Sequence, residues 1–361
     1  MNKRIYNFSA GPAILPESVL ERARDEMASI GGSGLGIMEI SHRSRLFAEV
    51  LEKAESGIRS LLNVPTNFRI LFLQGGATFQ FSMVPMNLLP SDGFAEYVLT
   101  GSWGQKAVNE AARYGVVNAI YDSAQDGFRS VPSQEDFRFD PEAAYVHYTS
   151  NETIDGVEFK YDLDAGGVPV VCDASSNILS KPIDIDKYAL IYAGAQKNIG
   201  PSGVTIVIIR DDMLERSPRE LPPLFTYKAI ADNGSLLNTP NTWGIYLTSL
   251  VCDWLKSEGG VEAIASRNGE KAAMLYDAID SSDGFYSGHA DRSARSLMNV
   301  TFRLPTSELD EQFCAEADER GMDGLRGHRS VGGIRASIYN AFPKEGVDCL
   351  VEFMKDFASR T

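Results

Sequence analysis

The sequence predicts an α/β protein, with a large, mostly parallel, doubly wound sheet domain and a small α+β domain after it. Three observations lead there. Seven short apolar, β-forming runs alternate with helical patterns over the first two-thirds of the chain. Near residue 257 the rhythm changes to long helical stretches with two strands among them. The length, 361 residues, is more than one core usually fills.

In chain order, Pro16–Ile30 and Ser44–Leu62 carry helical apolar spacing, and Arg69–Leu73 reads as the first strand. A helix is expected over Phe79–Leu88. Strands at Glu96–Leu99 and Val116–Tyr121 then flank a helix at Gln105–Tyr114. Ala144–Tyr148, Val168–Cys172, Ala189–Tyr192 and Val204–Ile209 complete a seven-stranded set. Helices follow at Trp243–Leu255 and Gly260–Ile279. The last part has strands at Ser296–Leu304 and Gly333–Tyr339 and helices at Glu308–Arg320 and Val347–Phe357. This pattern assigns residues 16–257 to the large domain and 258–361, with the N-terminal segment 1–15, to the small one.

The composition is 43% hydrophobic and 23% charged, that of an ordinary globular protein. Thirty-four basic against 49 acidic residues give a net charge of −15, which argues against nucleic acid or an anionic membrane as partner. A site for a small anion must therefore gather its positive charge locally. The four cysteines lie far apart with no C-x-x-C pair, so neither a disulfide framework nor a metal site is expected, and reduced thiols in a cytosol fit. The N-terminus lacks the apolar run of a signal peptide and no segment reaches about 18 apolar residues, so a cytoplasmic protein is expected.

Four features carry chemistry, each at the expected end of a strand. Lys197, in "IYAGAQKNIGPSG", sits between two buried strands with no acidic residue in its loop. In a dry pocket such a lysine loses proton affinity and becomes a nucleophilic amine able to form a Schiff base; a lysine reaching solvent from a loop would read the same way. Asp173 ends the run Val168–Cys172 and faces the crevice where open α/β sheets bind ligands. There it could keep a pyridine nitrogen protonated, or serve as a helix cap. "LQGGATFQF", residues 73–81, places two glycines and a helix start where a phosphate could sit, although a plain strand-to-helix turn looks alike. Trp103, in "TGSWGQ", offers a face for a flat ring, or fills the core. Their order along the chain favours the chemical reading over the bland ones.

The motifs "NFSAGPAILP", "MEISHRS", "HYTSNETIDG", "YAGAQKNIGPSG", "LNTPNTW" and "GLRGHRSVGGIRASIYNAF" run from end to end of the chain. Through them the sequence resembles the phosphoserine aminotransferase family, class V aminotransferases within the fold-type I enzymes that use pyridoxal 5′-phosphate (PLP). The resemblance implies that Lys197 is the catalytic lysine that bonds the cofactor and shuttles protons. It puts Asp173 on the pyridine nitrogen, Trp103 on the ring face and Thr153 at the 3′-hydroxyl edge. Gly76, Ala77, Thr78 and Gln196 would hold the cofactor phosphate, together with Asn238 and Thr239 from the other subunit of a homodimer. Some members have a glycine–arginine pair where this chain has Ala77-Thr78, so more of the phosphate contact should fall to backbone N–H groups and hydroxyls. Arg335 would take the substrate α-carboxylate, His42, Arg43, His328 and Arg329 the phosphate or distal carboxylate, and Ser9 glutamate.

The implied reaction moves the amino group of L-glutamate to 3-phosphohydroxypyruvate in serine biosynthesis, with 3-hydroxy-2-oxo-4-phosphooxybutanoate, of pyridoxine biosynthesis, as a further substrate. Both partners of the main reaction are dianionic or more, which suits two clusters, "SHRSR" and "LRGHRSVGGIR", on a negatively charged protein. Arg45 and Arg326 in those clusters read as structural or surface residues, His147 as a satisfied core histidine and His289 as a loop residue. A cysteine desulfurase of similar fold would need a reactive cysteine on a mobile loop, and Cys172, Cys252, Cys314 and Cys349 all lie in expected strands or helices. An alanine–glyoxylate enzyme would not require two arginine–histidine clusters. A scaffold that had lost its chemistry would be expected to lack Lys197 or Asp173, and both are present.

Overall fold

The computed structural model describes residues 4–218 and 220–361. Residues 1–3 of the N-terminal segment assigned to the small domain lie outside the described residues.

All seven expected strands join one sheet: β1 (Phe68–Gln74), β2 (Phe94–Leu99), β3 (Val116–Asp122), β4 (Val146–Thr149), β5 (Val170–Asp173), β6 (Leu190–Gly194) and β7 (Val204–Arg210). Their order across the sheet is β1-β7-β6-β5-β4-β2-β3. Only β7 runs against its neighbours, so the other six point the same way. Strands β4, β5 and β6 are buried along their whole length, which is why β5 and β6 read as continuous rather than alternating apolar runs. At the open edge, β3 is mostly exposed.

Each face of the sheet has its own core. Phe72, Val146, Ile191 and Ile206 pack on one side with the helices Arg45–Leu61 and Thr242–Ser257. Leu71, Tyr97, Val171, Tyr192 and Val207 pack on the other with Gln80–Leu88 and Ser102–Ala111. A third core lies under a three-stranded sheet of Ser287–Gly288, Asn299–Arg303 and Ile334–Ser337. It is closed by the helices Gly260–Asp280, Ser307–Glu319 and Lys344–Arg360. Phe8 belongs to this core, because the short strand Tyr6–Asn7 pairs with Met322–Asp323.

The last helix, Lys344–Arg360, outruns the expected Val347–Phe357 by three residues at each end, and two other helices depart from expectation for visible reasons. The first ends at Asp25 instead of reaching Ile30, because the following residues have other partners: Glu26 accepts from the Tyr246 hydroxyl at 2.5 Å, and Gly31 and Gly32 take positive φ. The helix expected at Gln105–Tyr114 begins at Ser102, because carboxylates from residues 152 and 155 satisfy its first N–H groups. A cap supplied from fifty residues away leaves no local signal. With six strands parallel, Gln74, Leu99, Thr149, Asp173 and Gly194 end at one edge of the sheet.

Candidate active site

At that edge lies a pocket of about 510 Å³. Of the expected residues, Gly76, Ala77, Thr78, Trp103, Thr153, Asp173, Gln196 and Lys197 all line it. Phe81, Thr149, Asn151, Ser175, Ser176 and Gly194 line it as well, and the sequence reading passed over them. Their signal was positional: apart from Phe81, each ends β4, β5 or β6 or follows within three residues.

Lys197 lies three residues beyond β6, and its Nζ donates to Thr153 Oγ1 at 2.6 Å. Burial pushes the amine down to about 8, with the Asp173 carboxylate pulling upward and the Arg335 guanidinium adding to the depression. The acidic neighbour missing from the lysine's own loop thus arrives from the adjacent strand.

Asp173 is the last residue of β5 and is 5% exposed. Its Oδ1 accepts from the Ser175 N–H at 2.9 Å, while burial raises its pKa above the usual carboxylate range. Across the ladder it faces Thr149 and Tyr192. The Tyr192 hydroxyl meets His147 Nε2 at 2.9 Å, and burial pushes that imidazole down to about 3, which keeps it neutral. His147 is a core histidine as expected, yet only half satisfied: its Nδ1 has no hydrogen-bond partner among the described residues.

The turn after β1 needs its glycines. Gly75 has φ 91°, and a Cβ there would lie 2.8 Å from the Phe79 ring. Gly76 precedes a short 3₁₀ turn, Ala77–Phe79, that runs on into the helix Gln80–Leu88, so a helix start opens onto the pocket. On the opposite wall, the Lys197 amine stands 5.9 Å from the Trp103 ring centroid. Trp103 Nε1, Thr149 Oγ1 and Asn151 Oδ1 are buried without a partner among the described residues. Orphaned polar atoms around an aromatic face, a buried carboxylate, a weakly basic amine and a helix start fit a flat, polar-edged ring carrying a phosphate. PLP meets that description.

The anion-binding candidates separate into two groups. Arg335, on Ile334–Ser337, reaches the site: its Nη1 donates to the Thr153 carbonyl at 3.4 Å. Its Nε is buried and unpartnered among the described residues. His328 shares an adjoining cavity with Arg335, and Arg329 is exposed beside it. The N-terminal segment also abuts the site: Ala13 N–H donates to the Gln196 carbonyl, and a Cβ on Gly11 would come 3.6 Å from Lys197. Ser9, two residues before Gly11, has its N–H held by Asn7 Oδ1 at 2.9 Å.

His42, Arg43, Asn238 and Thr239 do not line the pocket of their own chain. Asn238 lines a separate cavity of about 670 Å³, and the Thr239 carbonyl accepts from Gln74 Nε2 at 2.5 Å. Arg45 pairs with Glu49 and Arg326 with Glu311, in keeping with structural or surface roles. His289 is a loop residue whose Nε2–H donates to the Gly127 carbonyl at 2.9 Å.

Residues 5–350 match the model of the class-V aminotransferase family. Over 356 residues the chain is 53% identical to the phosphoserine aminotransferase of Laribacter hongkongensis (strain HLHK9), covering 99% of each sequence. It superposes on the phosphoserine aminotransferase of Bacillus circulans subsp. alkalophilus with a TM-score of 0.97 and 47% identity, covering 99% of each chain. A PLP-bound phosphoserine aminotransferase from Trichomonas vaginalis matches at TM-score 0.92 and 40% identity, over 98% of this chain and all of that one. With a PLP-compatible pocket already built from its own residues, the chain belongs to the class-V aminotransferases, in their phosphoserine aminotransferase branch.

Proposed function

We propose that the protein moves the amino group of L-glutamate to 3-phosphohydroxypyruvate, giving O-phospho-L-serine and 2-oxoglutarate. Similarity to phosphoserine aminotransferases over 99% of the chain supports the substrate pair. The observation that carries the chemistry is Lys197: an amine held near pKa 8, in a pocket with a buried carboxylate opposite.

PLP, when bound, supplies a ring that takes up electrons from the substrate Cα. The chain's own residues do the rest. Asp173 holds a proton at the ring nitrogen, and its burial in a water-poor wall strengthens that pairing. Trp103 would cover the ring, Thr153 would meet its hydroxyl edge, and Gly76, Ala77, Thr78 and Gln196 would hold the phosphate. Lys197 then carries the proton from Cα and returns it, within reach of Thr153 Oγ1 as its resting partner. Arg335 orients the α-carboxylate with its planar fork. His328 and Arg329, with Ser9, complete the anion sites on this side.

His42, Arg43, Asn238 and Thr239 complete a partner's site in a homodimer; their absence from the pocket of their own chain supports that reading. The same anion sites would admit 3-hydroxy-2-oxo-4-phosphooxybutanoate, which adds one carbon between the same end groups; a competition assay between the two oxo acids tests this. We place the large domain at 16–257 and the small one at 258–361 with the N-terminal segment, in agreement with Phe8 packing in the third core. No described helix is long and apolar enough to cross a membrane, and the acidic net charge speaks against nucleic acid. A cytoplasmic enzyme fits these properties.

The test is the visible absorbance of the loaded protein. L-Glutamate should bleach the cofactor band, 3-phosphohydroxypyruvate should restore it, and Lys197→Ala should abolish the cycle. A band that glutamate leaves unchanged overturns the reaction.

A further inference from the structure

The segment "NETIDG", residues 151–156, holds two carboxylates that the mechanism does not use. Asn151–Glu152 and Val157–Glu158 form a two-stranded hairpin whose turn is Thr153–Gly156. Glu152 is fully buried, and it does not pair with a cation. Instead its Oε2 accepts the Trp103 N–H at 2.9 Å and its Oε1 the Gly104 N–H at 2.8 Å. Asp155 Oδ2 accepts the Ser102 N–H at 2.8 Å. Three consecutive N–H groups at the start of the helix Ser102–Ala111 are therefore satisfied by one hairpin about fifty residues away.

The fit leaves no slack. Gly101 is extended, and a Cβ there would overlap Glu152 Cδ; a Cβ on Gly104 would come 3.2 Å from Oε1. The hairpin is anchored in turn on the small sheet. Asn151 Nδ2 donates to Asn299 Oδ1 at 2.9 Å, and Thr301 Oγ1 to the Asp155 carbonyl at 3.1 Å. A side chain on Gly156 would overlap Thr301. Between the two carboxylates sits Thr153, whose hydroxyl holds Lys197 and whose carbonyl holds Arg335.

We infer that Glu152 and Asp155 are positioning residues for Trp103, fixing the first turn of its helix so that the indole keeps its distance from the Lys197 amine. The inference rests on Trp103 covering the cofactor ring, as proposed above. Both oxygens of Glu152 accept an N–H, which favours the ionised form against the burial and the Asp155 charge that push its carboxyl up to about 8; glutamine in its place has the same shape but turns an NH₂ toward one of the two N–H donors, leaving a buried donor unpaired. Their role is separate from substrate binding, since neither residue lines the pocket.

The test is a double-mutant cycle on the full chain, read as PLP affinity by titrating apoprotein. Trp103→Phe alone should weaken PLP binding; if it does not, the assignment of Trp103 fails, and the positioning role with it. Given that loss, Glu152→Gln should weaken PLP about tenfold in the native background and less than about twofold beside Trp103→Phe. An equal loss in both backgrounds overturns the inference, because Glu152 would then act on the fold at large, and so does no loss in either. Should Glu152→Gln fail to fold, Asp155→Asn is put through the same cycle with the same two outcomes. Independently, amide exchange of Ser102–Gly104 in the native apoprotein should be slow, and free exchange at these three amides would sink the idea.

Discussion

Lys197 Nζ and Thr153 Oγ1 stand 2.6 Å apart, the amine from the β6–β7 loop and the hydroxyl from a hairpin anchored on the small sheet. The contact places the reactive nitrogen at the junction of the two sheets and gives it one neutral partner, so burial is not offset by an ion pair in contact. This is why its pKa falls to about 8 although Asp173 lies in the same pocket.

That shift has a measurable sign. The neutral amine is the nucleophile, so the rate at which apoprotein takes up PLP should rise with pH as the proton leaves. The midpoint should lie near 8, with a plateau above it, whereas an unshifted lysine would titrate near 10.5. Thr153→Val removes an acceptor that favours the charged form and should move the midpoint lower still, by about one unit or less. A stopped-flow pH profile with its midpoint near 10.5 would refute the buried-amine account.

Asp173→Asn keeps shape and the Ser175 contact but removes the charge proposed to hold a proton on the ring nitrogen. Loading with PLP should survive, while kcat falls on the order of 10³-fold, the scale of losing one preorganised electrostatic partner. Steady-state kinetics showing less than about a tenfold loss would mean that Asp173 serves mainly as the strand-end turn residue.

Much of this is legible in the sequence. Strands such as β5 and β6 were readable because they are buried on both faces and so write themselves as nearly unbroken apolar runs. Lys197, Asp173 and Trp103 were readable because each ends or follows such a run. What the sequence hid depends on distant partners. The start of the helix at Ser102 is set by Glu152 and Asp155, and no local pattern announces a cap that far away. His147 looked like a satisfied core residue, since its strand alternates normally; its unpaired Nδ1 appears only once the strands are aligned. The small side chains of Thr149, Ser175 and Ser176 line the pocket by position alone, and small polar residues at strand ends are too common to single out.

Lys271 makes a prediction about stability. It is 3% exposed, and its Nζ donates to the carbonyls of Ile338, Tyr339 and Phe342 at 3.0, 2.7 and 3.1 Å. Lys271→Met fills the same volume but leaves the Ile338 and Phe342 carbonyls unpaired, the Tyr339 carbonyl keeping the Phe342 N–H, at a cost of about 2–4 kcal/mol. Chemical denaturation should show that loss. The segment it ties down follows the strand bearing Arg335, so the KM for glutamate should rise as well. An unchanged denaturation midpoint would mean that water replaces the amine.

The shared site can be tested by mixing two inactive proteins. Lys197→Ala disables the site of its own chain. Asn238→Ala with Thr239→Ala should disable the site of the other chain, because neither residue lines the pocket beside its own Lys197. Each variant alone should form inactive homodimers. When the two are unfolded together and refolded, half of the dimers should be hybrids, each with one intact site made of native Lys197 from one subunit and native Asn238 and Thr239 from the other. Activity should then return to about a quarter of the native value, the statistical share for a twofold assembly. If the mixture stays inactive although hybrids are detected by mass spectrometry, Asn238 and Thr239 act within their own chain, and the pocket must close over them by a movement of the 233–241 segment.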